Sequence, residues 1–73
     1  MCTIKQFIKK MYYKQIVAIR SDAGHPLYEG AARETPEDIF DYVVSWVSTD
    51  VKWVFESNSY VVIILIDAYK RAE

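Results

Sequence analysis

The chain has one cysteine, one histidine, two glycines and two prolines in 73 residues, and each scarcity excludes something. A lone Cys2 cannot form an internal disulfide. His25 stands far from any second ligand of metal-binding spacing, so no Cys/His zinc pattern is present. Gly24 and Gly30 open no helix, which removes the glycine loop that grips phosphates. Calcium loops need alternating oxygen ligands about a central glycine, and none is present. The longest continuous apolar run, Tyr60 to Ile66, is far shorter than the roughly 20 residues that span a bilayer. The first residues lead into an amphipathic pattern rather than the apolar run of a signal peptide, so the expected compartment is the cytoplasm. There is no internal repeat and no low-complexity segment.

Size sets a second bound. The whole chain, 1–73, reads as a single small domain near the lower limit for an unaided core. Folding a chain of this mass buries roughly 7,700 Å². If about 60% of that area is apolar, the gain is roughly 115 kcal/mol. Ordering the residues costs about 110 kcal/mol. The near-cancellation predicts a marginal monomer, and with disulfide and metal unavailable, self-association or a protein partner is the expected aid.

The charges are unevenly placed. Net charge is −1, yet residues 1–20 carry Lys5, Lys9, Lys10, Lys14 and Arg20 with no acid, while the remainder is net −6. Such a split marks either a basic binding surface or a solvated face attracted to the rest of the domain.

Local patterns predict the elements. Thr3-x-x-Gln6 fits a capping box, and Ile4, Phe7, Ile8 and Met11 fall on one stripe of a helix from Thr3 to about Met11. Ile16 to Ile19 is a β-branched run. Ser21 to Pro26 supplies turn chemistry, with Asp22 suited to an Asx turn and Gly24 to positive φ. Leu27 to Ala32 is the return strand, in which Gly30 predicts a bulge or a close approach by another backbone. Thr35-Pro36-Glu37-Asp38 combines a capping box, a first-turn proline and dipole-favoured acids, predicting a second helix to about Val47. Val51–Glu56 and Tyr60–Ala68 then form a hairpin around Ser57-Asn58-Ser59.

The expected fold is therefore α+β: two helices packed on one face of a four-stranded, mainly antiparallel sheet, in chain order α-β-β-α-β-β. The first and last strands are apolar at both parities and belong in the middle, giving strand order 2-1-4-3. Helices on one face would leave Val61, Ile63 and Leu65 on an open face, a candidate protein interface.

One passage resembles a known group. The run Ile16-Val17-Ala18-Ile19, a polar turn, Leu27-Tyr28-Glu29-Gly30-Ala31-Ala32 and Thr35-Pro36-Glu37-Asp38-Ile39 is similar to a pattern in small bacterial and phage-borne or mobile-element α+β proteins. That group has no assigned activity, so the resemblance implies a fold and carries over no functional residues.

For chemistry, His25 is the one side chain with an unperturbed pKa near neutrality, but it lies in a Gly-His-Pro turn with no triad partner at a telling spacing. Cys2 has no nearby activating group in sequence. Glu34, Glu37, Asp38 and Asp41 surround a helix start, where the dipole and solubility account for them. The expectation is no enzyme and no cofactor. The leading function is a small interaction module, self-associating as a homodimer or docking on a protein partner through apolar sheet surface. The alternative is a nucleic-acid-binding accessory protein, with Lys5, Lys9, Lys10 and Lys14 meeting phosphates and Tyr12 and Tyr13 offering stacking surface.

Overall fold

The computed structural model describes residues 2–70. Its elements are α1 (Ile4–Lys9), β1 (Ile16–Ser21), β2 (Pro26–Ala31), two single-turn 3-10 segments (Ala32–Glu34 and Glu37–Ile39), β3 (Val43–Val54) and β4 (Ser59–Tyr69). The four strands form one sheet in the order β2-β1-β4-β3, the order the parity of the strands predicts. The sheet is mixed: β1 pairs antiparallel with β2, β4 pairs antiparallel with β3, and β1 runs parallel to β4.

α1 begins as its sequence directs. Gln6 N donates to Thr3 Oγ1 at 3.3 Å, and Thr3 N donates to Gln6 Oε1 at 3.0 Å, completing the capping box. Ile4 is fully buried, and Phe7, Ile8 and Met11 pack half-buried against Val17, Ile19, Ile66 and Ala68 of the central strands.

The second helix expected from Thr35 to about Val47 does not form, and with it falls the arrangement of two helices on a sheet. One short helix and two 3-10 turns stand in its place. Thr35 opens no helix: it is buried and closes the first 3-10 turn, its backbone N–H and its hydroxyl both donating back to Ala32 O, at 3.2 and 2.7 Å. After Pro36 the chain makes one tight turn, Phe40 N donating to Glu37 O, and then enters β3 at Val43. Two causes act together. Val43, Val44, Val47 and Thr49 are β-branched, and Tyr42 and Trp46 are aromatic; such residues lose rotamer freedom in a helix and suit a pleated surface. In addition, the carbonyls of Phe40 and Tyr42, which a helix would use internally, accept from Lys5 N and Ile4 N at 3.0 and 2.8 Å. Val44 N completes the junction by donating to Cys2 O at 2.8 Å.

The turns follow their chemistry with local departures. Gly24 has φ +82° in a turn closed by its own N–H to Ser21 O. Asp22 forms no Asx turn; its carboxylate accepts from Ser45 Oγ at 3.3 Å. Ser45 is the extra residue where the β3–β4 register shifts. The second hairpin turns at residues 55–58, with Asn58 in the left-handed region at φ 52°.

Gly30 is explained by a side chain rather than a second backbone. Its φ is +153°, and a Cβ there would lie 2.7 Å from Tyr28 Oη, because that hydroxyl folds over Gly30 to donate to Ala31 O at 2.7 Å. Burial, with the Glu34 carboxylate adding to it, holds the Tyr28 pKa above the ordinary 10.0. The folded state thus keeps this proton longer than the unfolded chain. The resulting stability is complete below about pH 10 and is lost as pH rises through the folded value. Tyr28→Phe is expected to cost about 1 kcal/mol at neutral pH and to flatten the alkaline loss. Gly30→Ala is expected to cost about 1–3 kcal/mol. The double variant should cost less than the sum, since both changes disturb one hydrogen bond. Urea denaturation at neutral and alkaline pH measures all three.

Candidate functional site

The shape of the molecule follows from a mismatch of lengths. β3 has 12 residues and β4 has 11, a hairpin about 40 Å long. α1 has six, about 9 Å. The helix and the 3-10 turns therefore cover only the end of the hairpin near Val43, and the molecule measures 45 × 23 × 18 Å.

Beyond that cover, the face that α1 shields elsewhere is bare. The register sets Val47 opposite Ile66, Val51 opposite Val62 and Trp53 opposite Tyr60, so these side chains share the face of Ile64 and Ile66. Ile66 is fully buried under the helix end of the sheet, whereas Val51 is 58% exposed and Tyr60 70%. Phe55, at the turn, is 88% exposed. The aromatic rings brace one another: Trp53 meets Tyr60 edge-on at 4.9 Å and Phe55 at 6.4 Å between centroids. Six apolar side chains along this half of the hairpin are therefore exposed: Val47, Val51, Trp53, Phe55, Tyr60 and Val62.

The sequence-predicted interface lies on the other face. Val61, Ile63 and Leu65 do share a face with Ile16 and Ala18, as the β1–β4 register requires. Their exposure is smaller than the open-face argument predicts: Ile63 is buried at 8%, and Val61 and Leu65 are half-buried. Ile63 lines an open cavity of about 520 Å³ with Ile16, Val61, Glu29 and Lys52, closed at the hairpin end by Trp53, Val54, Phe55 and Glu56.

The six residues proposed for nucleic-acid contact are all exposed, and they divide between two places. Lys5 and Lys9 line a groove of about 370 Å³ with Tyr13 and Arg33, over a floor that includes Ile8, Met11 and Phe40. Lys10 faces a separate hollow beside Cys2, Phe7 and Met11. Tyr12 packs on Tyr13 at 5.0 Å, and Lys14 Nζ and Arg33 Cζ approach the Tyr13 ring at 5.7 and 5.5 Å. Among the described residues the one ion pair is Arg20–Asp67 at 3.3 Å, so none of the four lysines is paired with an acid. Arg33 is the cation that sequence reasoning missed. Its place follows from backbone bonds, Arg33 N to Tyr13 O and Ala32 N to Gln15 O, which no local pattern reveals.

Of the remaining candidates, His25 is exposed in its turn, with its backbone N–H donating to Ser21 Oγ. Cys2 is half-buried, its thiol 3.4 Å from Thr3 O. Glu34, Glu37, Asp38 and Asp41 are exposed, and among the described residues no three His, Cys, Asp or Glu side chains gather as a metal site. No described helix is long and apolar enough to cross a membrane.

Both tryptophans, Trp46 and Trp53, are exposed in the isolated chain. Dilute protein should therefore show red-shifted emission with both indoles open to acrylamide. A blue, quencher-resistant spectrum from dilute protein would contradict the exposed hairpin face. No protein-family model, curated protein or solved structure matches this chain.

Proposed function

We propose that this chain is a small protein-interaction module, acting by self-association or by docking on a protein partner, and that the far half of the β3–β4 hairpin is its contact surface. The supporting observation is the joint exposure of Val47, Val51, Trp53, Phe55, Tyr60 and Val62 on one hairpin of a domain of this size. Aromatic residues are enriched in interface cores and dominate their binding energy, because a large rigid surface is desolvated at small entropic cost. None of the six is needed to seal the core, which lies at the other end around Ile4, Val17, Ile19 and Ile66. The surface the sequence suggested, Val61, Ile63 and Leu65, has less exposed area to offer and takes a secondary place. Phe55→Ser combined with Tyr60→Thr is expected to abolish association, and, at a concentration where wild type is itself dissociated, to shift the unfolding midpoint by no more than a few degrees. Light-scattering mass and thermal melts measure the two effects separately. Unchanged association in that variant would overturn this assignment of the surface.

A second reading has its own observation. Lys5, Lys9 and Arg33 converge on one groove beside Tyr13, a combination suited to a phosphate backbone with a stacked base. Against it stand the net charge of −1 and the weakness expected of a three-cation contact. Binding of labelled single-stranded RNA or DNA that falls steeply with salt, and is lost in Lys9→Glu/Arg33→Glu, is the expected outcome under this reading. No retardation at low salt removes it.

A further inference from the structure

We propose that the partner of the hairpin is a second copy of this chain, paired antiparallel along the outer edge of β3 about a two-fold axis at Val51, so that two four-stranded sheets become one of eight strands. This rests on the interaction-module reading and specifies its occupant and register.

The edge itself gives the first argument. β3 and β2 are the two outer strands, and they differ. β2 is six residues long, starts at Pro26 and holds an exposed Glu29, features that discourage strand addition. β3 is twice as long, with no proline and only two charges, Asp50 and Lys52. Val62 turns its carbonyl toward the β1 side, where Gln15 Nε2 donates to it at 2.7 Å. Val51, opposite Val62, therefore points its own N–H and C=O away from β4, and that N–H is held by Asp50 Oδ1 at 2.8 Å. By the period of two, Thr49 and Trp53 also present their backbone groups outward.

Charge selects the register. Centred on Val51, Asp50 of each copy faces Lys52 of the other, twice over, in the closer non-hydrogen-bonded positions. Centred on Asp50, the two Asp50 carboxylates would oppose each other; centred on Lys52, the two ammonium groups would. Centred on Thr49, Asp50 would face Ser48 and Lys52 would face Trp46, leaving both charges without a counterpart. Only the Val51 register pairs the charges and keeps outward backbone groups opposite outward ones. On the other face it places Val51 against Val51 and Thr49 against Trp53, and it brings Val47 toward Phe55. The Asp50–Val51 bond is exchanged without leaving an orphan: the carboxylate moves to Lys52 of the other copy, and Val51 N–H donates to the opposing Val51 carbonyl.

Area gives an independent argument. The chain exposes 5383 Å². A monomeric protein of 8.5 kDa is expected to expose about 4,650 Å². The excess, about 700 Å², is close to the ~800 Å² that each partner contributes to a stable interface of standard size.

The test is sedimentation equilibrium from about 1 to 500 µM, with circular dichroism confirming that each variant is folded. Wild type is expected to dimerise, and Lys52→Asp and Asp50→Lys should each raise the dissociation constant at least about tenfold. The Asp50→Lys/Lys52→Asp double variant, which restores opposite charges in this register alone, should regain the wild-type constant. A wild type that stays monomeric across the range overturns the second copy as occupant and leaves a different protein partner standing. A dimer dissolved by Phe55→Ser/Tyr60→Thr but indifferent to both charge reversals overturns the register while the contact surface survives. A dimer indifferent to all of these overturns both proposals.

Discussion

Everything in this fold depends on the junction between the start of α1 and the start of β3. A helix leaves its first N–H groups without internal partners, and here Ile4 N and Lys5 N find theirs in the carbonyls of Tyr42 and Phe40. Val44 N reaches back to Cys2 O, and Thr3 bridges Val43, so the beginning of the chain is tied to the point where β3 emerges. That tie fixes α1 over the near end of the sheet, where Ile4 enters the core beside Val17, Ile19 and Ile66. It also removes the carbonyls on which a second helix would have been built. The uncovered hairpin is a consequence: a six-residue helix anchored at one end of a 12-residue strand cannot shield the other.

What was legible in the sequence was whatever local chemistry decides. Thr3 and Gln6 cap α1 as a box, Gly24 takes positive φ, and the two strands apolar at both parities sit in the middle of the sheet. The segment from Thr35 was misread for a definable reason. Between Ile39 and Val47 seven of nine residues are apolar, a density that satisfies a period of 3.6 and a period of two alike. The start signals at Thr35 and Pro36 then tipped the reading toward helix. Pro36 does precede a helical turn, but one turn of 3-10 geometry, after which β-branched residues and the bonds from α1 prevail, while Thr35 ends the turn before it. Tertiary contact overrode propensity, and no window on the chain alone contains Cys2 and Val44 together.

The helix count also changes which apolar residues are most exposed. Given two helices, one whole face of the sheet counts as covered, and the excess apolar surface must lie opposite, at Val61, Ile63 and Leu65. With one helix, the far half of the face that α1 shields is also uncovered, and Val51, Trp53 and Tyr60 occupy it with high exposure. Ile63 meanwhile is closed in by neighbouring strands, Ile16 on one side and the hairpin end on the other. The basic residues fared differently: Lys5 and Lys9 do meet Tyr13 at one groove, but Arg33 arrives there through the backbone of residues 32 and 33, which periodicity cannot see.

Two deficits coincide on one strand. β3 carries both the unpaired backbone edge and a large share of the bare apolar face, while β2 is short and guarded by Pro26 and Glu29. For a chain whose burial and ordering terms nearly cancel, leaving both deficits on the same element is costly unless one contact relieves them together. A strand added at β3 supplies hydrogen-bond partners in the plane of the sheet and sets side chains beside Val47, Val51 and Trp53 in the same step. A partner laid flat on Trp53 and Tyr60 would cover the face and leave the edge open. Edge pairing thus answers the open edge and the apolar side chains of β3 together. It also gives Asp50 and Lys52, flanking Val51, a reason to stand as the only charges on the strand.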